Sequence, residues 1–135
     1  MITRFRAWNK ATKEMYGADD IIAINFGKSE ISVKTLFFER TNYYKFDDIV
    51  LMQSTGLRDK NGKEIFEGDI LSIETDEENV RVEVSWDSKH ALFVFESKKY
   101  NEKEALGELF EDSPYPFKII GNIYTNPELA EVNYD

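Results

Sequence analysis

The stretch Leu51–Ile73, LMQSTGLRDKNGKEIFEGDILSI, constrains this chain more than any other part of it. Asn61-Gly62 stands between two strand-like arms. Asn-Gly is the strongest short hairpin signal, because a two-residue type I′ turn needs positive φ at both central positions. Glu67-Gly68-Asp69 then interrupts the pattern, and Ile70, Leu71 and Ile73 restart an apolar strand. One segment therefore encodes strand, tight turn, strand, second turn and strand, the centre of a small, curled antiparallel sheet.

The flanking segments extend the same pattern. Val80, Val82, Val84 and Trp86 alternate with Arg81, Glu83 and Ser85, which reads as a half-buried strand. Asp87-Ser88-Lys89-His90 is its turn and Ala91–Glu96 its returning partner. Near the start, Phe5 and Ala7 fall on a core parity, and Arg4, Arg6 and Trp8 on the other. Trp8 then packs under a loop or sits at an interface. Met15-Tyr16 marks a short second strand, and Ala18–Phe26 and Ile31–Phe38 two more, with Glu39–Lys45 as a loop that exposes Tyr43 and Tyr44. Asn101–Phe110 reads as a short helix: Asn101 caps it, Glu104 completes a capping box, and Ala105/Leu109 and Leu106/Phe110 pair at i,i+4. Phe117–Tyr124 is a last strand bent at Gly121, and Asn126-Pro127 opens one helical turn. Strands at such short intervals predict an α+β, mostly β chain forming a small barrel or sandwich, with one or two short helices.

A chain of 135 residues suggests one domain, 1–135, with residues 1–50 as an N-terminal β elaboration and 51–132 as the core. Ten Phe, seven Tyr and two Trp supply much of the interior. The absence of cysteine excludes disulfides and thiolate metal sites, and suits a reducing cytoplasm. No apolar run approaches the roughly 18 residues that span a bilayer. The N-terminus MITRFRAWNK has no apolar h-region, so it does not read as a signal peptide. A cytoplasmic protein without membrane contact is expected.

The formal charge is −9, unevenly spread. Residues 1–50 carry eight basic and seven acidic side chains, residues 101–135 only two basic against eight acidic. Such acidity repels phosphate backbones, which makes nucleic acid an unfavoured partner. A local patch of Arg4, Arg6, Arg58, Lys60 and Lys63 is the alternative, provided the first strand lies beside the central hairpin. His90 sits on a hairpin turn near Asp87, Ser85 and Ser88. A Ser-His-Asp relay needs three groups converging in space, which neighbours on one turn do not supply. The acidic groups Asp19-Asp20, Asp47-Asp48 and Asp76-Glu77-Glu78 could offer oxygen ligands to Mg²⁺ or Ca²⁺, yet adjacent strand residues point to opposite faces, so solvated loops are the simpler reading. No GxGxxG or P-loop pattern occurs. Hence no catalytic, cofactor-binding or metal residue is assigned, no cofactor or small-molecule ligand is implied, and a non-enzymatic role is expected. The aromatics Trp8, Tyr43, Tyr44 and Tyr134 are the candidate interface residues, because aromatics concentrate at protein contacts.

Three blocks, FRAWNKATKEMY, LMQSTGLRDKNGKEIFEGDIL and IIGNIYTNPEL, stand in this order along the chain. Together they resemble the YopX family of phage and prophage proteins. The family usually carries aspartate in place of Asn9 and an aromatic in place of Ser54. The resemblance implies a fold built on an SH3-like antiparallel barrel and a source in a phage or an integrated prophage of a bacterium. It transfers no activity and no catalytic residues. It is compatible with homo-oligomers, so a protein partner or self-association is the expected mode of action.

Overall fold

A computed structural model describes residues 3–34, 40–111 and 115–130. The chain is mostly β and divides into two compact units, Met1–Ser54 and Thr55–Asp135. Among the described residues no helix is long and apolar enough to cross a membrane.

In the first unit, β1 (Phe5–Asn9) lies between β2 (Glu14–Tyr16) and the opening half of β6 (Ile49–Arg58), antiparallel to both. The turn from β1 to β2 is locked by Asn9, whose Oδ1 accepts the backbone N–H groups of Ala11 and Thr12. Its Nδ2 donates to the Tyr16 hydroxyl at 3.0 Å. A separate three-stranded sheet runs β3 (Ile21–Asn25), β4 (Glu30–Lys34), β5 (Thr41–Lys45), with β4 central. Ile31 and Val33 of β4 are buried with Ala7 and Ile49, and Tyr16, Ile21, Ile24, Tyr44, Phe46 and Leu51 pack around them. Tyr16 and Tyr44 stack with ring centroids 5.4 Å apart. Burial, then the neighbouring Tyr44, pushes the Tyr16 hydroxyl pKa up.

Two expectations for this unit change. Thr41–Lys45 is a strand rather than a loop, because its backbone pairs along β4 from Lys34↔Thr41 to Glu30↔Lys45. Trp8 is buried at 7% exposure, as are its neighbours Ala7 and Asn9, so both faces of this end of β1 are covered. The part of the expected strand Ile31–Phe38 beyond Lys34 lies outside the described residues.

The second unit is a five-stranded antiparallel sheet in the order β11 (Glu102–Ala105), β10 (Leu92–Ser97), β9 (Asn79–Asp87), β8 (Asp69–Glu74), β12 (Phe117–Asn122). Its core holds Leu71, Ile73, Val82, Val84 and Phe117 from the sheet, Ile65 from β7 (Glu64–Phe66), and Leu106 and Leu109. The β9–β10 hairpin forms as expected, with Phe95↔Val84 and Phe93↔Trp86 opposite. Trp86 nevertheless stays exposed, edge-on to Phe93 at 4.9 Å.

The expected helix over Asn101–Phe110 is replaced by β11 and a single helical turn, α1 (Glu108–Glu111). Asn101 adopts φ 52°, a left-handed turn conformation and not a cap, and Glu102–Ala105 pairs with Val94–Ser97. Leu106 and Leu109 still reach the core, at i,i+3 instead of i,i+4.

The central stretch forms its three strands, but the Asn61-Gly62 turn differs from type I′. Only Gly62 has positive φ, at 79°. The Asp59 carbonyl accepts the Gly62 N–H at 3.0 Å, and the Asp59 N–H donates to the Lys63 carbonyl at 2.9 Å. This is a three-residue loop, Lys60–Gly62, with glycine at the left-handed position. The Asp59 carboxylate selects it. Oδ1 accepts the N–H groups of Asn61 and Lys63, and Oδ2 accepts that of Ile119 on β12, all at 2.9 Å. The Lys60 N–H also donates to the Phe117 carbonyl at 3.1 Å. The hairpin loop thus covers the outer edge of β12, which would otherwise present open ladder groups.

β12 bends as expected at Gly121, where its register against β8 shifts. A Cβ there would lie 2.5 Å from Asn126 Oδ1 and 2.9 Å from Leu129 Cδ1, so the 3₁₀ turn Pro127–Ala130 approaches closely only because residue 121 is glycine. Residues 131 and 132 of the expected terminal turn lie outside the described residues.

Two outcomes test this account. Gly121→Ala is expected to lower stability by about 1–3 kcal/mol through overpacking, read as a lower urea midpoint with an unchanged slope. Adding Asn126→Ala removes the nearest clash and restores part of the loss. For Asp59, burial alone would raise its pKa, but the N–H donors of Ile119, Lys63 and Asn61 outweigh it and hold it below the ordinary aspartate range. A depressed folded pKa gives stability that is present above the unfolded pKa and lost as pH falls through the folded one. Asp59→Asn sets its amide donors against backbone donors, and is expected to cost about 2 kcal/mol at neutral pH. Denaturant titrations across pH should show that gap narrowing below the ordinary aspartate range, where the native carboxyl protonates.

Candidate interaction surface

The β3–β4–β5 sheet packs one face on the first unit's core and turns the other outward. Alternation decides which residues go where. Ile24, Ile31 and Tyr44 share the inner row, and Ala23, Ser32 and Tyr43 the outer one. The register of β3 on β4 shifts between Ile21 and Ala23, and Ile22 occupies the extra position. Three large side chains of this sheet and its β3–β4 turn stand in water: Ile22 is 54% exposed, Tyr43 65% and Phe26, just past β3, 68%. Phe26 is anchored edge-on against Phe46, whose ring packs on the core, at 5.8 Å. Around them, Lys45 pairs with Glu30 at 3.2 Å, whereas Lys28 and Lys34 make no ion pair among the described residues.

Of the described aromatics expected at an interface, Tyr43 is the one widely exposed. Tyr44 is half-buried against Tyr16, Trp8 is buried, and Tyr134 lies outside the described residues. Ile22 and Phe26 were not singled out by sequence. The signal that could have found them is the uncharged run IIAINF, too apolar for one buried face of a strand. The second unit also exposes Trp86, Tyr100, Phe110 and Tyr115, with Phe110 edge-on to Phe117 at 5.0 Å.

The basic residues divide between the units. Arg4 pairs with Asp19 at 3.2 Å, and the Arg6 guanidinium donates to Met52 Sδ at 3.4 Å. Arg58, Lys60 and Lys63 come together on the β6–β7 hairpin, but two are committed. The Arg58 guanidinium donates to the Gly62 carbonyl at 2.8 Å, and Lys60 pairs with Glu74 at 2.6 Å. The Lys60 bond holds the Glu74 carboxyl below its usual range. His90 Nδ1 lies 2.8 Å from Asp87 Oδ2 on the exposed β9–β10 turn, and Asp87 Oδ1 accepts the N–H groups of Lys89 and His90. The His90 bond likewise lowers the Asp87 pKa. Asp19-Asp20 and Asp47-Asp48 sit on exposed 3₁₀ turns. Among the described residues no group of three or more carboxylates and histidines is arranged to hold a metal ion.

The fold has solved relatives. Protein EF1440 from Enterococcus faecalis is similar with a TM-score of 0.63 and 28% identity, over 97% of this chain and 99% of that one. Protein yopX from Bacillus subtilis is similar with a TM-score of 0.67 and 23% identity, over 97% of this chain and 100% of that one, a likeness that bears on fold alone. No curated protein matches the sequence. The family model described as YopX protein matches residues 4–131, a span that includes all three sequence blocks. The chain belongs to the YopX family.

Proposed function

We propose that this chain is a phage- or prophage-encoded accessory protein of the bacterial cytoplasm, non-enzymatic, acting through protein–protein contacts that include self-association. The observation that carries this reading is the exposure of three large side chains of the β3–β4–β5 sheet and its β3–β4 turn, Ile22, Phe26 and Tyr43, each more than half exposed. Aromatic side chains left in water are the ones that dominate contact energy when a partner covers them. The curled sheet of the second unit, with the β6–β7 loop fastened to β12, supports an SH3-like barrel as its description. The alternative is nucleic-acid binding through that barrel, using the Arg58-Lys60-Lys63 hairpin. The ion pair of Lys60 with Glu74 and the bond of Arg58 to Gly62 weigh against it.

Light scattering of the pure protein, combined with recovery of bound host and phage proteins, is expected to give an oligomer or a defined partner. Phe26→Ser with Tyr43→Ser should abolish that association while lowering folding stability by only about 1–2 kcal/mol, chiefly through the lost Phe26–Phe46 ring contact. A monodisperse monomer that retains no host or phage protein would overturn the reading. A salt-dependent shift of an oligonucleotide, lost in Arg58→Ala with Lys63→Ala, would replace it with the alternative.

A further inference from the structure

Asn61 is the one asparagine in the sequence that is followed by glycine. In such a pair the glycine nitrogen can attack the asparagine side-chain carbonyl with little steric hindrance, because glycine carries no Cβ. The geometry around Asn61 bears on that reaction directly. Asn61 is exposed, so water reaches its amide. The Gly62 nitrogen is not available, because its N–H is donated to the Asp59 carbonyl at 3.0 Å. The Asn61 and Lys63 N–H groups on either side are both held by Asp59 Oδ1 at 2.9 Å. The Gly62 carbonyl accepts the Arg58 guanidinium at 2.8 Å, which fixes the next peptide plane as well.

We propose that Asn61 is a latent deamidation site, held closed in the native protein by the Asp59 loop, and that its conversion to isoaspartate unlocks the loop from β12. The chemistry balances without a co-reactant other than water. The Gly62 amide loses its proton and its nitrogen bonds to Asn61 Cγ. The Cγ–Nδ2 bond breaks and ammonia leaves, giving a succinimide. Water then opens the ring at either carbonyl, yielding aspartate or isoaspartate.

Two features of the fold oppose the first step. Deprotonating the Gly62 N–H forfeits its hydrogen bond to Asp59, and the nearby ionised Asp59 carboxylate disfavours the amide anion that forms. Reaction therefore proceeds through molecules whose hairpin has opened, and its rate follows the population of that open state. The consequence is local and one-way. Isoaspartate adds one methylene to the main chain inside a loop whose two backbone bonds close over three residues. Asp59 can no longer bridge Asn61, Lys63 and Ile119 together, so the edge of β12 is uncovered.

The test is mass spectrometry of the full-length chain aged in mildly alkaline buffer, with isoaspartate mapped to residue 61 by peptide fragmentation. In the native protein the conversion of Asn61 should run at least about tenfold slower than in the same chain unfolded in guanidinium chloride, a tenfold change corresponding to about 1.4 kcal/mol of opening. Asp59→Ala should erase most of that difference. Should this variant fail to fold, the wild-type rate measured across sub-denaturing guanidinium concentrations must rise in step with amide exchange at Ile119. The aged, converted fraction should also show faster exchange at Ile119 than the unconverted fraction. Equal rates in native and unfolded chains, or a converted fraction with unchanged Ile119 exchange, would overturn the proposal.

Discussion

The second unit turns on a single carboxylate. Asp59 is buried, yet both of its oxygens are occupied by backbone N–H donors from two separate parts of the chain. Oδ1 shapes the loop and Oδ2 reaches sixty residues further to Ile119. Aspartate suits this position for reasons of length and valence. It is acceptor-only when ionised, so all its lone pairs can face donors. Asparagine would turn N–H groups toward N–H groups. Glutamate would carry the same oxygens one methylene too far for the loop. A buried charge of this kind survives because hydrogen bonds replace its water, and because removing either side strands the other.

The same economy recurs at nearly every turn. Asn9, Asn25, Asp87 and Asn122 each use a side-chain oxygen to accept backbone N–H groups two or three residues ahead. Asn126 Oδ1 instead reaches back to the Asn122 N–H. Each such bond is worth about 1 kcal/mol net, and together they set the directions in which the strands leave their turns. This bears on function. Two of the carboxylates that look most like chemistry in the sequence, Asp87 and Asp59, accept main-chain N–H groups.

Turn positions were legible in the sequence because their causes are local. Gly62, Gly68 and the Asp87–His90 run punctuate the chain wherever it folds, and the two central hairpins follow from them. What escaped depends on residues distant in sequence. Apolar spacing over Ala105–Phe110 suits a helix as well as it suits a strand followed by one turn, and the choice is made by β10 offering its edge to Glu102–Ala105. The type of the Asn61-Gly62 turn was misread because the Asp59 side chain, rather than the dipeptide, sets it. Exposure was the least legible property. Trp8 and Tyr43 each follow the same strand pattern, yet Ala7, Trp8 and Asn9 are all buried, both faces of that end of β1 being covered, whereas Tyr43 is exposed on the edge strand β5. The family resemblance, carried by blocks of turn formers and core residues, held over 4–131 for the same reason that the turns were readable.

An edge strand presents unpaired backbone groups to any strand that passes, and proteins blunt it with charge, bulges or a cover. The second unit does so at both ends of its sheet. β11 reads Glu-Lys-Glu-Ala, alternating charge along the edge, and β12 lies under the Asp59 loop. The first unit's three-stranded sheet is treated differently. β3 reads Ile-Ile-Ala-Ile-Asn without a charge, and its register is broken by a bulge at Ile22, which stands 54% exposed. β5 carries one lysine, already paired with Glu30. An uncharged edge beside an apolar outer face is costly to leave in water and readily covered by another polypeptide. Under the proposed reading, association concentrates on β3 to β5, and the clamp at Asp59 and the charges of β11 blunt the edges of the second unit's sheet.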